Sequence, residues 1–520
     1  MRSVRSHVGG EWIQGQGSGA ELHNPTTEAV VATASTEGVD FRAALAFARE
    51  VGGPAIRATT FTERGAMLRA ASRAIHGARD ELIALAVDNG GNTRSDAKFD
   101  IDGASATLAA YADLATELGD ARFLVDGEAV NLGRSSRLAG RHVFLPLEGV
   151  AVHVNAFNFP AWGLGEKLAV AILAGVPVVS KPATATALVA WRIAELLVEQ
   201  SIFQRGVFSF VGGAPGDLLA HLGAQDVLAF TGSGSVGAQL RAMPNVIASS
   251  VRVNIEADSL NAAVLGAETS DETYDLFLKD LAKEVTQKTG QKCTATRRVF
   301  VPRARLAEVR DAIVDRLAQV KVGDPSRDDV TMGPLATRRQ QRDVLEGIAK
   351  LVAAGAKVVT GGKAPEAPLG VEPGRGFFVA PTLLEVGSTA EAGAVHELEV
   401  FGPVTSLIPY DSTPELVAGV RRGGGGLVSS VYGDDKAFLR AVVLGIATAH
   451  GRIVIGTEKN AGAAMSPGLV LPQLVHGGPG RAGGGEELGG VRGLRLYSQR
   501  TALQGYGPLL ESLVEGGKQV

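Results

Sequence analysis

The chain is nearly devoid of cysteine: Cys293 is the only one in 520 residues. That excludes an intramolecular disulfide and a cysteine-rich zinc site, and no metal centre is expected. An excess of one charge is also missing. The formal net charge is −4, with no run of like charges, which speaks against nucleic acid or an anionic membrane as a partner. No stretch of about 18 uninterrupted apolar residues offers a membrane span. The opening "MRSVRSHVGGEWIQG" lacks the apolar core of a secretion signal, so a cytoplasmic location is the expectation. No internal repeat is visible. What is present is a chain 45% hydrophobic, long enough to bury a large core and to divide into two or three domains.

Residues 40 to 90 carry a helical pattern. Met67, Leu68, Ala71, Ile75, Leu82, Ile83 and Ala86 recur at spacings of three and four, and "DNGGN" ends the run. From 150 to 266 short apolar strands alternate with helices. "GVAVHVNAF" reads as a strand, "WGLGEKLAVAILAG" as a helix closed by Gly175, "PVVSKPA" as a strand and "ATALVAWRIAELLVEQ" as a helix. "GVFSFVGG" and "DVLAFTGSG" read as strands that lead through glycine into helices. This rhythm predicts a mostly parallel, doubly wound α/β sheet. A second α/β series follows Glu256. Its helices are expected at 271–289, 303–320 and 337–355, and its strands near 297–301, 357–360, 404–409, 427–432 and 452–455. The glycine-rich stretch 472–493 is expected to be a loop without regular structure.

Three stretches carry chemistry. "LAFTGSGSVGAQL" places Gly232, Gly234 and Gly237 at dinucleotide-binding spacing between a strand and a helix. Glycine lets the backbone approach a pyrophosphate, and the free N–H groups of the helix start attract its charge. A plain strand-to-helix turn reads the same way. An acid is expected about 20 residues on, and Glu256 nearly fits, leaving it two jobs: ribose ligand or catalytic base. "VNAFNFP" sets Asn155 and Asn158 at a strand end, where an amide can donate to a developing oxyanion or merely shape a turn. Cys293 follows "GQK", with Lys292 adjacent and small or polar residues around it rather than a core strand's Val and Leu. A lone cysteine is more often a small buried hydrophobe than a nucleophile, and no histidine partner can be read from spacing.

Taken in order, "NAFNFP", "KPAT", "FTGSGSVG", "NIEAD…GQKC" and "EVFGPV" resemble the aldehyde dehydrogenase superfamily, from "GGEW" to "GEELGGVRGL". The variants "HVNAFNFP", "IEADSLN" and "GQKCTATRR" are similar to the branch that oxidises CoA-linked semialdehydes in aromatic ring degradation. The resemblance implies that Cys293 is the nucleophile, that Asn158 and the Cys293 backbone N–H hold the oxyanion, and that Glu256 is the base for water. It places Lys167 and Glu487 near the water and proton path. It gives Lys181 the adenosine ribose, Gly232, Ser233 and Gly237 the pyrophosphate, and Glu399, with Phe401 beside it, the nicotinamide ribose. Backbone N–H groups and the nicotinamide are the implied activators of the thiol.

Two departures stand out. Ala257, Asp258 and Ser259 replace the usual glycine pair after the base, which changes backbone freedom beside Glu256. Thr184 stands where NAD-preferring relatives carry a carboxylate, so NADP is expected over NAD, although Thr184 capping the following helix is the plainer reading. The implied architecture is an NAD(P)-binding domain of 1–125 and 148–257, with 466–493 returning to it, and a catalytic domain of 258–465. A small β oligomerisation element of 126–147 and 494–520 would make a homodimer. The expected reaction is NADP-dependent oxidation of a semialdehyde, CoA-thioester linked, to the carboxylate. Three rivals remain: a dehydrogenase of a small free semialdehyde, a CoA-acylating dehydrogenase, and a non-catalytic dinucleotide-binding protein.

Overall fold

Alternating strands and helices between residues 150 and 266 build the parallel core of a seven-stranded sheet in the computed structural model, which describes residues 2–134 and 137–520. Its strand order is Arg252–Glu256, Val227–Thr231, Ala151–Val154, Val178–Lys181, Phe208–Phe210, Ser6–Val8 and Glu11–Ile13. The first five strands run parallel, and the two N-terminal ones add antiparallel at the edge. The chain winds outward in both directions from Ala151–Val154. Its switch point therefore lies between that strand and Val227–Thr231, and ligands of open α/β sheets sit beyond such carboxyl ends. Asn155 and Asn158 follow one strand, and Gly232 to Gly234 follow the other.

The helix Trp162–Ala174 packs behind this crevice, buried along almost its whole length, and ends where Gly175 takes φ 92°. A helix apolar all round is a core helix, which makes its two charged members, Glu166 and Lys167, exceptional. The run from 40 to 90 is helical as the periodicity predicts, as Phe41–Phe47, Phe61–Gly77 and Arg79–Gly90.

A second seven-stranded sheet has the order Lys357–Thr360, Thr382–Glu385, Val404–Tyr410, Arg298–Pro302, Ala262–Leu265, Gly426–Tyr432 and His450–Gly456. Two of its strands, Ala262–Leu265 and Thr382–Glu385, are not anticipated from the sequence. Both are poor in β-branched residues, reading AAVL and TLLE, where the anticipated four-residue strands Val178–Lys181 and Lys357–Thr360 read VVSK and KVVT. A four-stranded sheet pairs Ser498–Tyr506, Leu138–Pro146, Leu124–Asn131 and Lys518–Gln519. It includes the hairpin expected at 126–147, of which residues 135 and 136 lie outside the described residues. Among the described residues no helix is long and apolar enough to cross a membrane.

The glycine-rich stretch 472–493 is not structureless as expected. It folds into an antiparallel pair, Val475–Gly477 with Glu486–Leu488, in which His476 faces Glu487. Glycine permits it through close approach: a Cβ on Gly477 would sit 2.0 Å from the Gly485 carbonyl oxygen. The hairpin lies along the outer strand of the first sheet. Glu486 N–H donates to Asn254 Oδ1 at 2.9 Å, and Ala257 N–H donates to the Ala482 carbonyl at 3.0 Å.

Candidate active site

Cys293 sits on a turn that the backbone reaches only under strain. Lys288, Thr289 and Gly290 precede it with φ of 53°, 54° and 65°. Left-handed backbone costs a β-branched residue such as Thr289 on the order of 1–3 kcal/mol and persists only where the surroundings enforce it. Thr289 Oγ1 donates to the Gly333 carbonyl at 3.0 Å. A Cβ on Gly290 would lie 2.2 Å from the Gly402 carbonyl oxygen, so only glycine fits. Arg297 donates to the carbonyls of Gly290, Lys292 and Gly402 at 2.9, 3.2 and 2.7 Å. Lys292 is no activator of its neighbour, because it turns away into a buried ion pair with Glu284 at 2.9 Å.

The turn delivers Cys293 to a cavity also lined by Asn155, Asn158, Glu166, Thr231, Glu256 and His476. Asn158 donates one amide hydrogen to the Gln291 carbonyl at 2.9 Å. An amide has a second hydrogen to give. Burial, then the adjacent Glu256 carboxylate, pushes the Cys293 thiol well up, so the resting sulfur holds its proton.

Glu256 ends the edge strand of the first sheet. Burial alone would raise its carboxyl, but His476 and Lys167 outweigh burial and hold it below the ordinary carboxylate range. His476 Nε2 lies 3.2 Å from Glu256 Oε1. Burial works against the imidazolium there, and the Glu256 charge overcomes it, so the His476 value is raised. A sulfur of Cys293, a ring nitrogen of His476 and a carboxylate oxygen of Glu256 all lie within 4.8 Å of one another. His476 is the site residue that the sequence does not reveal. It stands in a stretch with no periodicity and far from Cys293 along the chain, and only the hairpin brings it in.

Lys167 is buried and contacts Glu166 at 3.3 Å, Glu487 at 3.0 Å and Thr231 Oγ1 at 2.8 Å. Desolvation opposes its charge, but Glu487 and Glu166 more than compensate and raise it. Asn254 Nδ2 donates to Glu487 Oε1 at 2.9 Å. Lys167 and Glu487 thus form a buried ion pair, with Glu166 as a third member. Burial pushes the Glu166 carboxyl up to about 7.

The remaining expected residues lie outside this cavity, along the carboxyl edge of the first sheet and the facing wall. Lys181 ends its strand, buried and without an ion-pair partner among the described residues, and desolvation lowers its ammonium to about 8. Thr184 opens the short 3-10 turn Thr184–Thr186 and does not cap the following helix: Thr186 occupies that place. Ser233 caps the helix Gly234–Arg241. A Cβ on Gly232 would sit 2.4 Å from the Phe230 ring, and one on Gly237 would sit 2.9 Å from Ile255. Glu399 accepts from Ser259 N–H at 3.1 Å. Burial raises its carboxyl to about 7 even with Arg297 nearby. Phe401 meets Phe157 edge-on at 5.8 Å.

The replaced glycines prove to be ties. Asp258 Oδ1 accepts from Gly234 N–H at 2.9 Å, so the chain's own carboxylate occupies the helix start. Ser259 Oγ donates to Asn261 Oδ1 at 2.5 Å, and Asn261 Nδ2 donates to the carbonyls of Cys293 and Ala295 at 2.7 and 2.9 Å. The segment after Glu256 is thereby bonded to the Cys293 turn.

These residues fit a nicotinamide dinucleotide. Lys181, buried at a parallel strand's carboxyl end without an ion-pair partner among the described residues, suits an anionic ligand, while Asp258 already takes the Gly234 N–H of the neighbouring helix start.

The family model described as the aldehyde dehydrogenase family matches residues 12–502. The chain is 44% identical over 478 residues to 3,4-dehydroadipyl-CoA semialdehyde dehydrogenase of Aromatoleum evansii, covering 92% of this chain and 93% of that one. A Bacillus cereus aldehyde dehydrogenase in complex with NAD+ superimposes with TM-score 0.84 at 26% identity, covering 97% of each chain. Betaine aldehyde dehydrogenase of Staphylococcus aureus in complex with NAD+ shares the fold, with TM-score 0.85 at 23% identity over 97% of this chain and 98% of that one.

Proposed function

This chain belongs to the aldehyde dehydrogenase family, as an NAD(P)-dependent enzyme, and within it we propose the NADP-dependent oxidation of a CoA-linked semialdehyde to its carboxylate. The observation that carries the substrate class is the 44% identity, over nearly the full length of both chains, to the Aromatoleum evansii enzyme.

The steps follow from the cavity. The Cys293 sulfur adds to the aldehyde carbon, and Asn158 Nδ2 with the Cys293 N–H receives the oxyanion. A bound nicotinamide dinucleotide would supply the hydride acceptor. Lys181, Thr184, Gly232, Ser233 and Gly237 would hold its adenosine and phosphate portion, and Glu399 and Phe401 its nicotinamide end. The thioester left on Cys293 is hydrolysed by water whose proton goes to Glu256. Lys167 and Glu487 continue the path behind it. A carboxylate in the cavity beside Cys293 favours water as the acyl acceptor, and so argues against free CoA and against a non-catalytic binder. The domain boundaries at 125/148 and 257/258 belong to the same reading, as do a cytoplasmic location and a homodimer through 126–147 and 494–520. Exposed Val130, Leu132, Leu138, Tyr506, Leu509 and Leu513 support that pairing surface.

A kinetic panel tests the substrate class. The CoA-linked semialdehyde is expected to exceed the free acid semialdehyde in kcat/KM by about a hundredfold, the return on a few additional contacts at roughly 1.4 kcal/mol per factor of ten. Equal values would transfer the enzyme to the free-semialdehyde class.

Thr184→Glu tests the cofactor preference. A carboxylate there, about 4 Å from a 2′-phosphate, would repel it by roughly 4 kcal/mol at an effective dielectric of 20, before screening. Lys181 supplies the attracting charge three residues earlier. The variant should raise KM for NADP at least tenfold and leave KM for NAD little changed. A wild-type enzyme that already prefers NAD, or a cofactor ratio that does not move, removes the inference.

A further inference from the structure

We propose that His476 is the terminal proton acceptor of this site, taking the proton of the Cys293 thiol through Glu256 and holding it on its imidazole. The inference rests on the reading of Cys293 as the nucleophile.

The geometry is that of a carboxylate–imidazole pair closed over a thiol. Nε2 of His476 stands 3.2 Å from Glu256 Oε1, and the sulfur lies within 4.8 Å of both groups. All three line one cavity, and His476 and Glu256 are buried. The ring is fixed by the hairpin that carries it, which is stitched to the strand bearing Glu256. The charged and titratable groups facing His476 are Glu256 on its strand, Glu166 and Lys167 on the core helix, Glu487 across the hairpin, and Cys293. Glu256 and Glu487 against one lysine, with Glu166 raised by burial, leave this buried cluster short of positive charge. An imidazolium supplies it, so a proton taken up anywhere in the pair settles on nitrogen rather than on oxygen. The Cys293 thiol, partly buried beside a carboxylate, does not ionise unaided near neutral pH.

The step balances without a redox partner. The S–H bond of Cys293 breaks, its proton passes to Glu256 and on to the neutral His476 ring, where it rests as N–H and leaves Glu256 ionised. The sulfur electron pair then bonds to the aldehyde carbon. In thioester hydrolysis water's proton follows the same path. Cys–His pairs elsewhere activate thiols in this way. Here the carboxylate lies between the two and connects them.

The test exploits the lone cysteine, since every alkylation event reports Cys293. The iodoacetamide rate is followed by intact mass against pH, without cofactor or aldehyde. The sign follows from His476 being raised: the pair accepts a proton only above its own value, and the thiol ionises unaided only above a still higher one. Wild type is therefore expected to show two ascending steps. His476→Asn and His476→Gln should each lose the lower step, react at least tenfold more slowly between the two values, and reach the same alkaline limit. Glutamine keeps a hydrogen-bond donor toward Glu256 but cannot titrate, so a merely structural role would leave its profile two-stepped. A single step in wild type, or two steps in either variant, overturns the proposal. Failure of wild type to oxidise any aldehyde would instead strike the functional reading and leave the alkylation profile standing.

Discussion

Cys293→Ala is expected to abolish aldehyde oxidation while the enzyme still binds its nicotinamide dinucleotide. The expected loss is on the order of 10⁵-fold or more, because removing a covalent nucleophile leaves only binding and the oxyanion donors. The hydride leaves from a carbon that the sulfur has made tetrahedral and electron-rich, and no other side chain of the cavity can take that place. The substitution is mild for the fold. Cys293 is only partly buried, and its turn is held by Asn261 and Arg297 through backbone carbonyls that alanine retains. Cofactor affinity by calorimetry is therefore expected to stay within about twofold, since Lys181 and Ser233 lie outside the cavity. Cys293→Ser separates chemistry from volume: a hydroxyl has the right size but keeps its proton, so it too should be inactive. Turnover by the alanine variant above about one thousandth of wild type would sink the covalent mechanism.

Much of this site was legible because the relevant residues sit where strands end. Asn155, Asn158, Gly232 and Glu256 close apolar runs whose β-α-β rhythm predicts a parallel sheet, and such a sheet gathers its carboxyl ends on one side. Cys293 was recognisable from the motif around it, not from its own flanks. What escaped has a common cause. His476 and the hairpin beneath it come from a glycine-rich stretch whose order arises from backbone packed against backbone, so no side-chain period betrays it. Asn261 looks like a polar residue opening an apolar strand, and its bonds to the Cys293 carbonyl depend on a contact across 32 residues. The strands Ala262–Leu265 and Thr382–Glu385 are poor in β-branched residues, and their pairing is decided by the sheet they complete. Thr184 misled in the opposite sense: its position before a helix suggested a cap, but an intervening 3-10 turn puts Thr186 at the helix start, and its hydroxyl donates to the Phe157 carbonyl instead of capping.

Glu256→Gln should divide the reaction in two. The first half leaves a thioester on Cys293, and the second needs a group that takes water's proton. An amide cannot do so, and loss of general-base assistance slows such a step by about 10²–10⁴-fold. Mixing the variant with NADP and aldehyde is therefore expected to give a burst of NADPH approaching one equivalent of enzyme, then a steady state slower by that factor. Intact mass should show the acyl adduct on the single cysteine. The burst itself should rise more slowly than in wild type, since the thiol also loses its route to His476. Its amplitude should persist, because thioester formation is limited by how much thiolate is present and not by whether any forms. Two features of the structure place the larger penalty on the second half. The carboxylate lies in the cavity with Cys293, 3.2 Å from His476. Glu399 accepts from Ser259 N–H through Oε2 and keeps Oε1 without a hydrogen-bond partner among the described residues, and it is the acid proposed to meet a ribose. If Glu256 were instead the ribose ligand of the dinucleotide fold, glutamine would raise KM for NADP, the thioester would not accumulate, and steady-state turnover at saturating cofactor would match wild type. A normal kcat with a raised cofactor KM would therefore return Glu256 to that other role and leave water activation to His476 alone.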